Sequence, residues 1–374
     1  MERPYSTRRR TGRYITLLIL VAALVGGWSW FWFYAAGKVE ATIDGWRARE
    51  AQAGRVYACG TQSIGGFPFR FELNCDGVSA SFSGRQLPLE IKSGGVLVAA
   101  QVYQPTLLIS EFHGPLTVAN PGQPPDIVIN WKLAQSSVSG TPLAPERVSL
   151  AVDLPAVDRV TGGTQQPLLR AKRIEIHGRI AEGSVRDHPV VEAVLRLNGA
   201  TAPELHAAMA APLDADINAV LRGLNDFAPK PWAARFREIQ AAGGGIDIGQ
   251  ARLQQGDTIA VGAGSLSINA NGRLEGQLRV TVAGLEAFLN AIGAQQMVQS
   301  SPTVDKLAGA LDRLSPGLGG IARQQASANI SGAINMLGEQ TTLEGKRAVT
   351  LPLRFTDGAI SLGPIPLGKA PPLF

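Results

Sequence analysis

Histidine and cysteine, the residues that most often hold metals or attack substrates, number only four and two in this sequence of 374 residues. His113, His177, His188 and His206 lie far apart with no partner at ligand spacing, so each reads as a surface or turn residue, and no metal centre is expected. No histidine separates Cys59 from Cys75, and there is no second cysteine pair. The two therefore read as one structural disulfide. Charge is also thin, 17% of residues against a typical ~25%. The net charge of +5 comes mainly from the first 13 residues, where Arg3, Arg8, Arg9, Arg10 and Arg13 face a single Glu2. The remainder of the chain is almost neutral and carries no electrostatic footprint for nucleic acid.

Catalytic patterns are missing too. No Gly-x-Ser-x-Gly elbow occurs. The tripled glycine at 243–245 precedes a strand pattern, where a phosphate cradle would precede a helix, and Gly317-Leu318-Gly319-Gly320 lacks the Lys-Ser/Thr of a nucleotide loop. Asp153 with Asp158, or Asp214 with Asp216, could pair in space for acid–base work. A chain with 30 acidic residues offers such pairs by chance. No catalytic residue and no cofactor are assigned, and a non-enzymatic role is expected.

What the sequence does contain is one long uncharged run, Tyr14 to Ala36, of 23 residues. As a helix it reaches roughly 34 Å, enough to cross a hydrocarbon core of about 30 Å. Arg8, Arg9, Arg10 and Arg13 precede it, so the positive-inside bias keeps residues 1–13 in the cytoplasm and exports the rest. Trp28, Trp30, Phe31, Trp32, Phe33 and Tyr34 crowd its far end, where amphipathic rings settle at a membrane interface. A removable signal peptide needs a small residue three before the cut. Phe33 or Tyr34 occupies that place if the cut follows Ala35 or Ala36, so a retained anchor is expected. Export also suits Cys59 and Cys75, whose bridge would close a loop of about 17 residues worth roughly 3 kcal/mol.

Beyond the anchor, Val39, Ile43 and Trp46 keep helical spacing, which predicts a helix leaving the membrane over residues 38–53. Phe67, Phe69, Phe71 and Leu73 alternate with polar residues and Pro68, which predicts a strand after the turn Ile64-Gly65-Gly66. The disulfide then staples this hairpin at its open end, and the Phe67, Phe69 and Phe71 rings either fill a core beneath it or, with Arg70, stack sugars or lipids. From Leu87 to Leu197 short β-rich runs are punctuated by Gln123-Pro124-Pro125-Asp126 and Thr161-Gly162-Gly163. At Ala202 the pattern changes. Leu213, Ile217, Val220, Leu221 and Leu224 fit one helical stripe, and Trp232, Phe236 and Ile239 a second helix ending at Gly243. Strands return over 246–282 with an Asn271-Gly272 turn. Helices are then expected at Leu285, Phe288, Leu289 and Ile292, and at Val304, Leu307, Leu311 and Leu314, before strands at 327–334, 349–355 and 359–362.

The expected fold is therefore mainly β with helices (α+β): long antiparallel, curved sheets in two similar β-rich halves with helices packed on them. The boundaries read as a basic tail 1–13, an anchor 14–36, a β-rich half 37–202 with the disulfide hairpin, a helical connector 203–242 and a second β-rich half 243–374.

Three stretches carry a family likeness. The Cys59–Cys75 segment with Gly66-Phe67-Pro68-Phe69, the Asn269–Gly293 strand-to-helix stretch and the C-terminal Leu351–Phe374 together resemble the domain of unknown function 2125 (DUF2125) family of alphaproteobacterial envelope proteins. That resemblance implies a periplasmic protein held in the bacterial inner membrane, without an established biochemical role. The Gly-Phe-Pro-Phe hairpin close behind an anchor is also similar to AsmA-like proteins, linked to lipid traffic. Two functions are implied: sheltering a lipid or other apolar ligand on an apolar sheet face, or binding an envelope protein through a sheet edge or the Pro-rich Leu362–Phe374 strand. A hydrolase of envelope polymers ranks third. A reporter enzyme that works only outside the cytoplasm, fused after Phe374, is expected to be active. A cytoplasmic reporter that is active there instead would reverse the topology.

Overall fold

The computed structural model describes residues 11–83, 88–141, 144–228, 230–291, 338–363 and 365–374. They are mostly β, and the strand pairings given below are antiparallel. The chain forms two compact units, Met1–Pro125 and Asp126–Phe374.

The first unit begins with α1 (Thr11–Gln52), 42 residues long, or roughly 63 Å at helical rise. Its apolar part is long and hydrophobic enough to cross a membrane, with a mean hydropathy of 1.9 over the best window. As the Val39–Ile43–Trp46 spacing predicts, the helix continues past the uncharged run. It packs on β1 (Arg55–Gly65), and Trp46 stacks on Tyr57 with ring centroids 4.8 Å apart. The helix ends where Gly54 adopts a left-handed φ of 75°, a conformation glycine reaches without a Cβ clash. There Arg55 Nε donates to Glu50 at 2.5 Å and holds that carboxyl below its ordinary value. The strands β1, β2 (Arg70–Phe82), β3 (Leu89–Gln101) and β4 (Gln104–Ala119) then form a meander.

Three expectations are corrected in this hairpin. The strand does not begin at Phe67: residues 67–69 are a turn, closed by the Arg70 N–H donating to Gly66 O at 3.0 Å, and β2 starts at Arg70. Gly66, at φ 94°, reverses the chain there, and Pro68 has no N–H to give to a ladder. The rings do not fill a core beneath the hairpin either. Phe67 and Phe71 pack on Trp32 of α1 at 5.5 and 5.4 Å. The disulfide forms, with its Cα atoms 5.7 Å apart. It crosses the middle of the ladder, beside Gly60 and Gly77, which drop out of the pairing, and not the open end.

In the second unit the main ladder runs through β6 (Leu133–Thr141), β7 (Ala144–Asp153), β10 (Arg173–Ser184), β11 (Asp187–Ala200), β12 (Leu213–Arg222), β13 (Gly245–Gln255), β14 (Thr258–Ile268), β15 (Leu274–Ala283) and β17 (Lys346–Thr356). On its far side β17 pairs with β16 (Glu339–Leu343) and β18 (Ala359–Leu362), and β18 with β19 (Ile365–Lys369). A smaller ladder joins β5 (Ile127–Asn130), β8 (Ala156–Thr161) and β9 (Thr164–Arg170). Helix α2 (Trp232–Ala241) packs on β14, as does α3 (Leu285–Ala291). The Leu285 and Leu289 side chains of α3 close a core with Val349, Leu351 and Leu362. Burying a leucine fully is worth about 1.5–3 kcal/mol, so the two α3 leucines contribute substantially to this corner.

The segment 203–242, expected as a helical connector, is only partly helical. Leu213–Arg222 is strand β12, flanked on both sides by strands. Its sequence LDADINAVLR supports either period, since Ala215, Ile217, Ala219 and Leu221 also alternate with Asp214, Asp216 and Asn218. Pairing with two neighbours decides for the sheet. The expected helix at Val304–Leu314, the strand at 327–334, Ile292 and Gly317–Gly320 lie outside the described residues, as do Arg8, Arg9 and Arg10. Replacing Cys59 and Cys75 together by serine should lower unfolding stability by about 2–4 kcal/mol, and a reducing agent should shift the melt of the parent protein by a similar amount and that of the variant not at all.

Candidate functional site

Residues paired directly across an antiparallel ladder point to the same side of the sheet. In the second unit this alignment builds unbroken apolar rows. One runs Leu150, Ile176, Leu195, Ile217, Ala251, Gly262, Val280, Leu351 from β7 to β17. A parallel row runs Val152, Ile174, Leu197, Ala215, Leu253, Ala260, Val282, Val349 through the same strands. The register slips once in β13, where Ile217 faces Ala251 but Ala219 faces Ile248. The extra residue is absorbed at Gly249-Gln250 as a bulge, which keeps both rows on one side.

This face is covered around β15 and β17 and half-exposed around Val148 and Ile176. Around β15 and β17 the α3 side chains cover it, and Leu351 and Val282 are 1% and 0% exposed. Toward β7 and β10, Val148 and Ile176 are each 46% exposed, and Leu150, Leu195 and Ile217 are half-buried. The neighbouring positions are small, with Ala193 opposite Ala219 and Gly178 opposite Ala193. The face is therefore an apolar strip with shallow relief, of a kind that accepts a methylene chain more readily than a shaped polar ligand.

The other side of the same strands is charged. Arg173 bridges Asp153 at 2.5 Å and Glu175 at 2.6 Å. Glu175 also faces Arg196 at 3.6 Å, and Arg196 reaches Asp216 at 3.2 Å. Arg179 pairs with Glu192 at 2.5 Å. Hydrogen bonds from Arg173 hold the Glu175 carboxyl below its ordinary value, and those from Arg179 do the same for Glu192. Such exposed pairs add little energy singly, but the series crosses β7, β10, β11 and β12 and marks this side as the solvated one.

The carboxylates singled out by sequence do not come together as catalytic pairs. Asp153 is taken by Arg173, and Asp158, 5% exposed, by Arg170. Asp214 accepts from the Gly199 N–H at 2.6 Å, and Asp216 faces Arg196. His113, His177 and His188 each lie near one acidic side chain, and His206 accepts from the Ala208 N–H at the start of a short 3-10 turn. Among the described residues no group of three or more metal-ligating side chains occurs. A cleft of about 700 Å³ beside α3 is lined by Glu286, Gln340 and Arg347 together with apolar residues such as Val282, Leu285 and Val349.

The anchor residues divide into two sets. Arg13 stands in the first turn of α1. Trp30 stacks on Tyr34 at 5.8 Å and is 71% exposed, which fits an interfacial ring. Trp32 is 3% exposed and its indole N–H donates to Arg70 O at 3.1 Å, while that of Trp28 donates to Pro68 O at 3.0 Å. Sequence reasoning treated all these rings as one belt and missed the docking of two of them on the hairpin. The available signal was the pairing of a Trp-rich helix end with a Gly-Phe-Pro-Phe turn.

Near α2, Glu238 is almost enclosed, with a side chain 7% exposed. It accepts from Lys230 at 2.6 Å, Arg235 at 2.8 Å and the Asn225 N–H at 2.6 Å. Burial alone would raise its pKa. The Lys230, Asn225 and Arg235 donors together outweigh burial and hold it below its ordinary value.

Compared with known proteins, residues 32–371 match the sequence profile of a family described as uncharacterized protein conserved in bacteria (DUF2125). No curated protein matches the chain. Glu238→Gln should lower unfolding stability by about 1–3 kcal/mol at neutral pH through loss of charge-assisted bonds. A carboxyl held low in the folded state contributes above its unfolded pKa and loses that contribution as protons bind. Urea melts at about pH 7 and about pH 3.5 should therefore show the difference between parent and variant shrinking with acid.

Proposed function

The chain belongs to the DUF2125 family of uncharacterized proteins conserved in bacteria, and from that premise we propose that it is a non-enzymatic, single-pass protein of the bacterial inner membrane. In this reading its N-terminus is cytoplasmic, its bulk is periplasmic, and its Asp126–Phe374 unit shelters an apolar ligand of acyl-chain type. The observation that carries the ligand is the half-exposed apolar strip around Val148, Ile176 and Leu195, which is backed by an opposite side that carries a series of ion pairs. A soluble sheet with one solvated side normally buries the other. An acyl chain laid along the strip would remove that surface from water at roughly 25 cal/mol per Å². Location is supported by the arginine excess before α1 and by the Cys59–Cys75 bridge, since such bonds persist in oxidising compartments. A non-enzymatic role is favoured by the pairing of each singled-out carboxylate with a donor in place of a second carboxylate.

Native mass spectrometry of the full-length protein extracted in mild detergent tests this reading. The expected result is a copurifying lipid that is lost or strongly reduced in Ile176→Glu, with the thermal melt of the variant retained. Absence of lipid from the parent protein would overturn the ligand. A constant protein crosslink at β19, whose described pairing is to β18, would instead favour a scaffold that binds another envelope protein.

A further inference from the structure

One hairpin tip of the first unit lies beside α1 at a depth that the helix itself records, and a second tip is tied to it. Trp28, whose indole N–H donates to Pro68 O, stands eight residues before Ala36, so about 12 Å inside the end of the uncharged run. Arg70 O receives the Trp32 N–H one turn further along. The 66–70 turn therefore sits against a part of α1 that a bilayer of ordinary thickness would surround. The second tip is tied to the first, because the Val102 N–H donates to Phe69 O at 3.0 Å.

The chemistry of the tips fits that depth. Residues 56–69 and 93–110 carry no charge. The outermost rings are bare, with Phe69 67% and Tyr103 76% exposed. The first charges beyond the tip are Arg70 and Glu72, which pair at 2.7 Å, and Arg70 remains 60% exposed, placed where a guanidinium meets lipid phosphate. Large exposed rings on an uncharged rim are costly in water and favourable at the headgroup–acyl boundary, where aromatic residues concentrate.

We infer that the tips around Phe69 and Tyr103 are a second membrane contact, inserted into the outer interface of the same bilayer that α1 crosses. The anchor then does more than tether: the Trp28 and Trp32 hydrogen bonds fix the height and tilt of the first unit on the lipid surface. This inference rests on the reading of α1 as a membrane span.

The test uses the full-length, disulfide-bonded protein in vesicles of phosphatidylethanolamine and phosphatidylglycerol. An environment-sensitive fluorophore is attached singly through Leu20→Cys, Phe69→Cys, Tyr103→Cys or Lys92→Cys, and some vesicles contain lipid brominated in the upper acyl chain. Expected are blue-shifted emission and several-fold bromine quenching at positions 20, 69 and 103, and neither at 92. Quenching at 20 with positions 69 and 103 behaving like 92 would overturn the second contact and leave the anchor standing. No quenching at 20 would overturn the anchor, and the tip contact with it.

Discussion

An antiparallel ladder leaves no room for a slip of one residue when one side must be apolar and the other charged, because the side chains alternate with period two. That constraint organises the second unit. Leu150, Ile176, Leu195 and Ile217 fall in line only because β7, β10, β11 and β12 hold a common register, and the same register lines up Asp153, Arg173, Arg196 and Asp216 on the reverse side. The ion pairs are individually weak. Displaced by one position, however, each would lie among leucines at a cost of several kcal/mol, so together they penalise the wrong alignment.

The first unit depends on a different requirement, that a buried indole N–H find an acceptor. Trp32 is enclosed by Phe67 and Phe71, and its donor is satisfied by a backbone carbonyl at the start of β2. A turn carbonyl is available there because the 66–70 reversal spends few of its own acceptors on a ladder. Past the uncharged run, Trp46 on Tyr57 and Glu50 with Arg55 continue the same attachment along β1. The helix and hairpin thus behave as one piece, which a flexible linker after the anchor would not produce.

The functional reading draws on both units without needing a catalytic centre. Polar groups are largely spent on each other: Asp158 on Arg170, Glu238 on Lys230 and Arg235, Arg252 on Glu344. Apolar surface is exposed on the sheet face around Ile176 and at the ring-bearing tips. Surfaces of that kind select by burial of area more than by hydrogen-bond pattern, which suits lipid partners.

Much of this was legible in the residues alone. Local chemistry is enough for an uncharged run of 23 residues to be a helix of membrane-spanning length, for Gly-rich and Pro-rich joints to be turns, and for two lone cysteines to pair. Local chemistry could not decide Leu213–Arg222, whose apolar residues satisfy both a helical stripe and a strand alternation. Hydrogen bonds from β11 and β13, distant in sequence from much of what they organise, settled it. Nor could it foresee that Phe67 and Phe71 would leave the hairpin's own interior for Trp32, a contact across 35 and 39 positions. Sequence determines which groups must be hidden or satisfied, because burial and hydrogen-bonding costs belong to the residue. Which partner meets that need is a property of three-dimensional proximity, and only the tertiary structure decided it.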